Sequence, residues 1–100
     1  MPMAAIEGID TTHIGSADLS TEMGIAGNYK HPRMRTAFET VAVAAKQHGK
    51  SMGVGGVREG LEFQTWLPSI GVHYLTGGSD TGYILSAGRA GMKRLRELKL

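Results

Sequence analysis

Two aspartates lie just beyond predicted strands, where a carboxylate could hold a metal ion. Asp18 follows the β-branched run Thr11–Gly15, and Asp80 follows the run Val72–Thr76. Such a carboxylate is commonly a turn former or a helix cap, and it is also a ligand that hard divalent cations prefer. The residue types alone favour the turn or cap role and leave the metal role open.

The three predicted strand ends are rich in glycine, which suggests accessible backbone. They comprise Gly15-Ser16-Ala17-Asp18, Gly53-Val54-Gly55-Gly56 and Thr76-Gly77-Gly78-Ser79-Asp80. Backbone N–H groups in such turns suit a carboxylate or a phosphate. A dinucleotide-binding fingerprint would need a glycine where Arg58 stands, so that function is not indicated.

The other residue types that commonly bind metals form no motif. The histidines at 13, 31, 48 and 73 never pair at the spacing of a helical zinc site. His13 and His73 lie within predicted strands, where we expect them to be packed or hydrogen-bonded. The chain has no cysteine, which excludes disulfides, thiol chemistry and cysteine-type zinc sites.

Three short strands alternate with three helices along the chain, which predicts an α/β fold with parallel strands. The predicted strands are Thr11–Gly15, Ser51–Val54 and Val72–Thr76, and a long polar loop spans Ser16–Lys30. Helical spacing of apolar residues predicts helices over 33–48, 58–67 and about 83–99. We expect Pro32 and Gly49 to bound the first helix, Pro68 to end or kink the second, and Asp80 or Thr81 to cap the third.

A three-stranded parallel sheet would leave two unpaired edges, although parallel sheets are normally covered. Residues 1–9 are typical of the last turn of a helix that leads into the first strand. We therefore expect the sequence to begin in the middle of a larger repeating α/β fold.

Length and composition bound the remaining possibilities. One hundred residues predict a single domain at most. A net charge of +2 gives no electrostatic case for nucleic acid, and the basic residues near the end suit the C-terminus of a solvated helix. No apolar run approaches the ~18 residues of a membrane helix, and no secretory signal is evident. We predict a cytoplasmic protein without nucleic-acid or membrane partners.

The stretch HIGSADLSTEMGIAGNYKHP resembles a signature of the HpcH/HpaI aldolase family of metal-dependent pyruvate aldolases. Ser16 stands where the signature usually has proline. The later segments His48-Gly49-Lys50 and Gly78-Ser79-Asp80 resemble the seventh and eighth strand regions of that family. The matching residues are Ile14, Gly15, Ala17, Asp18, Leu19, Ser20, Met23, Gly24, Gly27, Asn28, His31 and Pro32.

The resemblance implies that residues 1–100 form a partial HpcH/HpaI domain, namely the last three βα units of a TIM (β/α)8 barrel. It implies reversible aldol cleavage of a 4-hydroxy-2-oxo acid to pyruvate and an aldehyde, with a divalent cation (Mg²⁺, Mn²⁺ or Co²⁺) as Lewis acid. By the same resemblance Asp18 is a metal ligand. The backbone of Ser16, Ala17 and Asp18 would then cradle the pyruvate carboxylate.

Other catalytic groups of that family have no counterpart in this sequence. They are a second metal-binding glutamate, a His–Asp acid/base pair and an arginine, so we expect no catalytic residue within residues 1–100 and no activity of this chain alone. A non-catalytic remnant of the barrel and a citrate-lyase-β-like enzyme acting on acyl-CoA esters remain alternatives. The spacing of Met23-Gly24 and Gly27-Asn28 favours the aldolase branch. The resemblance also implies a homo-oligomer that exchanges its last helix.

Overall fold

The structure is a computed structural model that describes residues 2–57 and 60–99. Its described part contains a single parallel sheet in the order β1-β2-β3, which confirms the predicted α/β class. The strands are β1 (Thr11–Gly15), β2 (Ser51–Gly55) and β3 (Tyr74–Leu75). The helices are α1 (Ser16–Glu22), α2 (Pro32–Gln47), α3 (Leu61–Ser69) and α4 (Asp80–Arg96), and a 3-10 turn at Pro2–Ala5 precedes β1.

The register of the sheet aligns the glycine-rich strand ends. Gly15 of β1 pairs with Gly55 of β2, and two residues earlier His13 pairs with Gly53. Gly53 in turn pairs with Tyr74 of β3. Because parallel strands end at the same edge, these ends lie side by side, as the sequence predicted.

The prediction of a continuous loop over Ser16–Lys30 is wrong, because its first half is helix α1. Leu19 and Met23 lie one helical turn apart, and both pack against the core. Gly24 has a φ of 75° and ends the helix. Its N–H donates to the Thr21 carbonyl and the next N–H, of Ile25, donates to the Ser20 carbonyl, which is the Schellman arrangement.

The predicted cap of the last helix is wrong by one or two residues. The N-cap is Ser79, whose extended backbone lets its hydroxyl accept a hydrogen bond from the Gly82 N–H at 3.2 Å. Asp80 and Thr81 are therefore the first two helical residues, and the helix starts three residues before the predicted Tyr83. A serine hydroxyl that reaches the N3 amide is a favoured cap.

The end of the second helix and the third strand also differ from the predictions. The predicted helix start at Arg58 lies outside the described residues, and α3 continues through Pro68 to Ser69 rather than ending at Leu67. The third strand is shorter than the predicted Val72–Thr76. The backbone N–H groups of His73 and Thr76 still donate to the carbonyls of Met52 and Val54, so this run follows β2 beyond the two strand residues.

The hydrophobic core lies on one face of the sheet. Thr12 and Ile14 of β1 are buried, whereas the alternating Thr11, His13 and Gly15 are exposed. Helix α2 covers the buried face with Met34 and Phe38, both 0% exposed. Because successive strand residues point to opposite faces, this packing leaves the face of Thr11, His13 and Gly15 open, and we call it the open face.

An aromatic cluster joins α3 to α2. The ring of Phe38 lies 6.1 Å from Phe63 and 6.3 Å from Trp66, both in edge-on geometry. The Arg35 guanidinium lies over the Trp66 ring, 4.3 Å from its centroid. Such pairs add to the free energy gained by burying the rings. Phe38 of α2 therefore packs against two aromatic rings of α3.

Helix α4 extends away from this core. None of its described residues 80–96 is buried, and the described molecule measures 63 × 27 × 23 Å. Among the described helices, none has both the length and the apolar character needed to span a membrane.

Replacing Phe38 with alanine should lower the free energy of unfolding by about 3–5 kcal/mol, because a fully buried ring is lost and a cavity remains. Urea unfolding followed by far-UV circular dichroism measures this change. The adjacent exposed Glu39 is the control, and E39A should change stability by less than about 0.5 kcal/mol. Equal effects of the two substitutions would contradict the described core.

Candidate functional site

The candidate site lies at the carboxyl ends of β1 and β2, above the paired Gly15 and Gly55. Helix α1 starts directly after Gly15, so its first turn stands at the same edge of the sheet. The absence of a side chain on Gly15 leaves room beside Asp18 on the open face. The position of a Cβ atom on Gly55 is closed, because it lies 2.7 Å from His13 Nε2. Ligands of parallel α/β sheets commonly collect at this edge.

Asp18 lies in the first turn of α1, where its negative charge also favours the helix N-terminus. It is exposed, and its Oδ2 atom lies 3.5 Å from the position that a Cβ atom on Gly15 would occupy. Among residues 2–57 and 60–99, no hydrogen bond or ion pair engages its carboxylate. The carboxylate is therefore close to the open face and available to a cation.

Asp80 has a different environment. Its Oδ1 accepts a hydrogen bond from the Thr81 N–H at 2.8 Å, which satisfies one of the free amides at the start of α4. The structure thus gives Asp80 a local role at a helix terminus. Of the two candidate aspartates, Asp18 is the one with an unengaged carboxylate.

The backbone at the start of α1 meets the end of β2. A Cβ atom on Gly56 would lie 3.6 Å from the Ala17 nitrogen and 4.0 Å from the Ser16 nitrogen. Gly56 also has a φ of 80°, a conformation that favours glycine. Ala17 and Asp18 are exposed, whereas Ser16 is 0% exposed. Ala17 and Asp18 are therefore the accessible residues of the predicted pyruvate cradle, and Ser16 is buried.

The sequence analysis did not predict a polar group on the open face below this edge. His13 Nδ1 lies 3.1 Å from the Tyr74 hydroxyl, and the two rings are stacked with centroids 5.5 Å apart. His73, predicted to be hydrogen-bonded, accepts the Met52 N–H at 3.2 Å through its Nδ1. The strand alternation of Thr11, His13 and Gly15 is the signal that could have placed His13 beside the site.

Comparison with known proteins identifies the family. Residues 2–82 match the profile of a family described as "HpcH/HpaI aldolase/citrate lyase". The chain belongs to this family. The expected resemblance is therefore confirmed over four fifths of the sequence, including Asp18 and all three strands.

Similar sequences of the HpcH/HpaI family are aldolases. A 4-hydroxy-4-methyl-2-oxoglutarate aldolase of Hapsidospora irregularis is 47% identical over 64 residues, which are 64% of this chain and 24% of that protein. The 4-hydroxy-2-oxo-heptane-1,7-dioate aldolase of Escherichia coli is 36% identical over 85 residues, which are 85% of this chain and 32% of that protein. The chain thus spans about a quarter to a third of these relatives.

Solved structures of the same family share its architecture. The HpcH/HpaI aldolase of Desulfitobacterium hafniense DCB-2 superposes with a TM-score of 0.82 at 27% identity, over 97% of this chain and 37% of that one. A HpcH/HpaI aldolase/citrate lyase family protein of Burkholderia cenocepacia J2315 gives 0.78 at 28% identity, over 95% of this chain and 36% of that one.

The described residues do not by themselves form a complete metal site. In the part of the chain that the structure describes, no three histidine, aspartate or glutamate residues come close enough to hold a metal ion. Among the described residues at the strand ends, Asp18 has the unengaged carboxylate. A cation bound to Asp18 would need further ligands from water, from the substrate or from residues other than the described ones.

Two buried serines of α1 differ in their hydrogen bonding. The Ser16 hydroxyl is buried without a partner among the described residues. The Ser20 hydroxyl donates to the Ala17 carbonyl at 3.0 Å and accepts the Gly27 N–H at 3.2 Å. Ser16 is the first residue of α1, a position that suits the proline usual in the HpcH/HpaI signature.

Replacing Ser16 with alanine should raise the free energy of unfolding by about 1 kcal/mol, because an unsatisfied buried hydroxyl is removed. S20A should lower it by about 1–2 kcal/mol, because two hydrogen bonds are lost. Urea unfolding of both variants measures the difference. A destabilised S16A would contradict the assignment of Ser16 as an unpartnered hydroxyl.

Proposed function

We propose that this chain provides the metal-ligating strand end of a divalent-metal-dependent pyruvate aldolase. The reaction is the reversible cleavage of a 4-hydroxy-2-oxo acid to pyruvate and an aldehyde. One observation is central to this proposal: the Asp18 carboxylate is exposed and unengaged beside Gly15, within the matched part of the family. The names of the similar aldolases support the reaction type.

We further propose that β1, β2 and β3 with their helices are the last three βα units of a TIM (β/α)8 barrel. Their sequential order and parallel pairing support this, since adjacent strands of such a barrel follow one another in the chain. The open face would then point to the barrel interior. Superposition on little more than a third of a solved HpcH/HpaI aldolase also supports a partial barrel.

The donor chemistry fits a hard cation such as Mg²⁺ or Mn²⁺. Such cations take oxygen ligands, often one or two carboxylates, and retain several waters. Asp18 would contribute one carboxylate. The second carboxylate would come from the part of the relatives' length that this chain does not span. When bound, the cation would supply Lewis-acid stabilisation of negative charge on substrate oxygens.

The residues of this chain would bind and orient the pyruvate unit. The amides of Ala17 and Asp18 belong to the first turn of α1, where N–H groups lack intrahelical acceptors. A carboxylate at this position is favoured by those N–H groups and by the helix dipole. The absence of side chains on Gly15 and Gly56 would let the ligand approach the backbone.

The aldolase reaction is preferred over the citrate-lyase-like alternative because the two similar sequences, from H. irregularis and E. coli, are named as 4-hydroxy-2-oxo acid aldolases. A non-catalytic remnant would retain the fold and lack the reaction. A direct assay separates this possibility from an aldolase.

Chain 1–100 alone should release no pyruvate from a 4-hydroxy-2-oxo acid in the presence of Mg²⁺ or Mn²⁺. A fusion protein, in which the segment of the E. coli aldolase that precedes its matched region is joined to residues 1–100, should release it. D18N in the fusion should lower kcat/KM by roughly 100-fold or more, because several kcal/mol of charge stabilisation are lost. A lactate dehydrogenase-coupled assay measures pyruvate.

The matched control is D80N, which removes one charge after β3. It should leave kcat/KM within about threefold of the parent fusion, because the Asp80 carboxylate accepts only the neighbouring Thr81 amide. Circular dichroism verifies that every fusion is folded. A folded fusion without activity would support the non-catalytic remnant, and equal effects of D18N and D80N would refute the metal role of Asp18.

We also propose that α4 mediates a homo-oligomer. Its exposed apolar residues Ile84, Leu85 and Met92 line one groove along the helix. The groove is also lined by Gly88 and by the charged residues Arg89, Lys93, Arg96 and Glu97. Ile84, Leu85 and Met92 are 71%, 49% and 50% exposed, respectively. Burial of this stripe against another copy would remove a large apolar surface from water. The implied exchange of the last helix within the family agrees with this geometry.

Replacing Ile84 with glutamate should shift the fusion protein toward the monomer, because a charge is placed on the proposed interface. S86E places the same charge on the opposite side of α4 and should leave the assembly unchanged. Sedimentation velocity measures the distribution. A monomeric parent protein, or an unchanged I84E oligomer, would argue against an interface on this stripe.

A further inference from the structure

The open face of the sheet has a row of polar side chains that the proposed reaction has not used. The Tyr74 ring lies directly over Gly53, because a Cβ atom on Gly53 would fall 2.0 Å from a ring carbon. The tyrosine thereby crosses β2 and brings its hydroxyl to β1. There the hydroxyl lies 3.1 Å from His13 Nδ1 and 3.5 Å from Thr11 Oγ1.

The hydrogen bond between Tyr74 and His13 can run in either direction. The Thr11 hydroxyl has two acceptors within reach, the Ser51 carbonyl at 3.3 Å and the Tyr74 oxygen at 3.5 Å, so it does not fix where the phenolic proton points. When Tyr74 donates to His13 Nδ1, a neutral ring carries its proton on Nε2. Tyr74 therefore orients the ring, and the direction of its hydrogen bond sets the tautomer.

The Nε2 atom of His13 lies toward the strand ends. The position of a Cβ atom on Gly55 is 2.7 Å from His13 Nε2 and 3.0 Å from Thr76 Oγ1. Two polar atoms thus border the space above Gly55. Thr76 Oγ1 has a hydrogen that it can donate, and His13 Nε2 has one in the tautomer whose Nδ1 is unprotonated. His13 itself is exposed, so this group is not part of the packed core.

The same row of the sheet contains the Asp18 carboxylate. Gly15 and Gly55 are paired, and neighbouring strands are about 4.8 Å apart. Asp18 Oδ2 stands beside Gly15, and His13 Nε2 stands over Gly55. A small ligand held beside Asp18 would therefore extend toward Gly55 and meet His13 Nε2.

We infer that Tyr74 donates its phenolic proton to His13 Nδ1, and that His13 is a substrate-binding residue whose Nε2–H donates a hydrogen bond to a carboxylate or carbonyl oxygen of the 2-oxo acid. Tyr74 is then a positioning residue. This inference rests on the proposed function, since the ligand class is taken from it. An N–H donor suits an oxygen-rich anion, whereas an apolar ligand would leave that donor unsatisfied.

The test uses ¹⁵N NMR of histidine rings in the full chain and sodium pyruvate as the probe, with sodium chloride of equal ionic strength as the salt control. The free protein should show His13 as the Nε2–H tautomer. Pyruvate should shift the His13 Nε2 signal and leave the exposed His48 ring unchanged. Y74F should reduce the tautomer preference and weaken pyruvate binding by about 5-fold, the loss expected for one hydrogen bond.

H13F provides a second variant that keeps a ring on this face and removes both nitrogens, and it should abolish the pyruvate response of the Gly55 and Gly56 amides. Thermal unfolding verifies that both variants remain folded. The inference would be overturned if pyruvate shifted other signals but not that of His13, or if it shifted none. A His13 tautomer that is unchanged in Y74F would also overturn it. The readout uses neither metal nor turnover, so its failure is separate from a failed aldolase assay.

Discussion

The packing of α2 against a single face of the sheet determines the placement of every candidate functional group. Phe38 and Met34 require apolar partners, and Ile14, Met52 and Val54 provide them on that face. Strand alternation then directs the intervening residues of β1 to the opposite face. The core and the site therefore both follow from the packing of α2 on one face. A slip of one residue in the register of β1 would move its buried side chains to the open face and its exposed ones into the core.

The second constraint is the parallel register of β1 and β2. It places Gly15 beside Gly55, so the start of α1 and the end of β2 lie side by side at one edge of the sheet. Asp18 then reaches the open face from the first turn of α1, while His13 reaches it from the strand below. Charge and hydrogen-bond donors are thus concentrated along one row of a small sheet.

Much of this fold follows from local patterns in the sequence. Pro32 and Gly49 predicted the ends of α2 because their backbone preferences are strong. The β-branched run predicted β1 with the bounds that the structure has. Helix α1 was missed because its seven residues are mostly polar and its apolar contacts are only Leu19 and Met23. The position of Ser79 rather than Asp80 as cap depends on backbone angles that composition does not specify. The Tyr74–His13 contact spans 61 residues and required the tertiary register.

The central claim is that Asp18 contributes a carboxylate to a divalent cation at the end of β1. Crystals of the fusion protein grown with Mn²⁺ and pyruvate would test it through the anomalous signal of manganese. The account predicts a peak about 2.1 Å from an Asp18 carboxylate oxygen, with pyruvate beside the Ala17 and Asp18 amides. A fully occupied Mn²⁺ bound without Asp18 would contradict it.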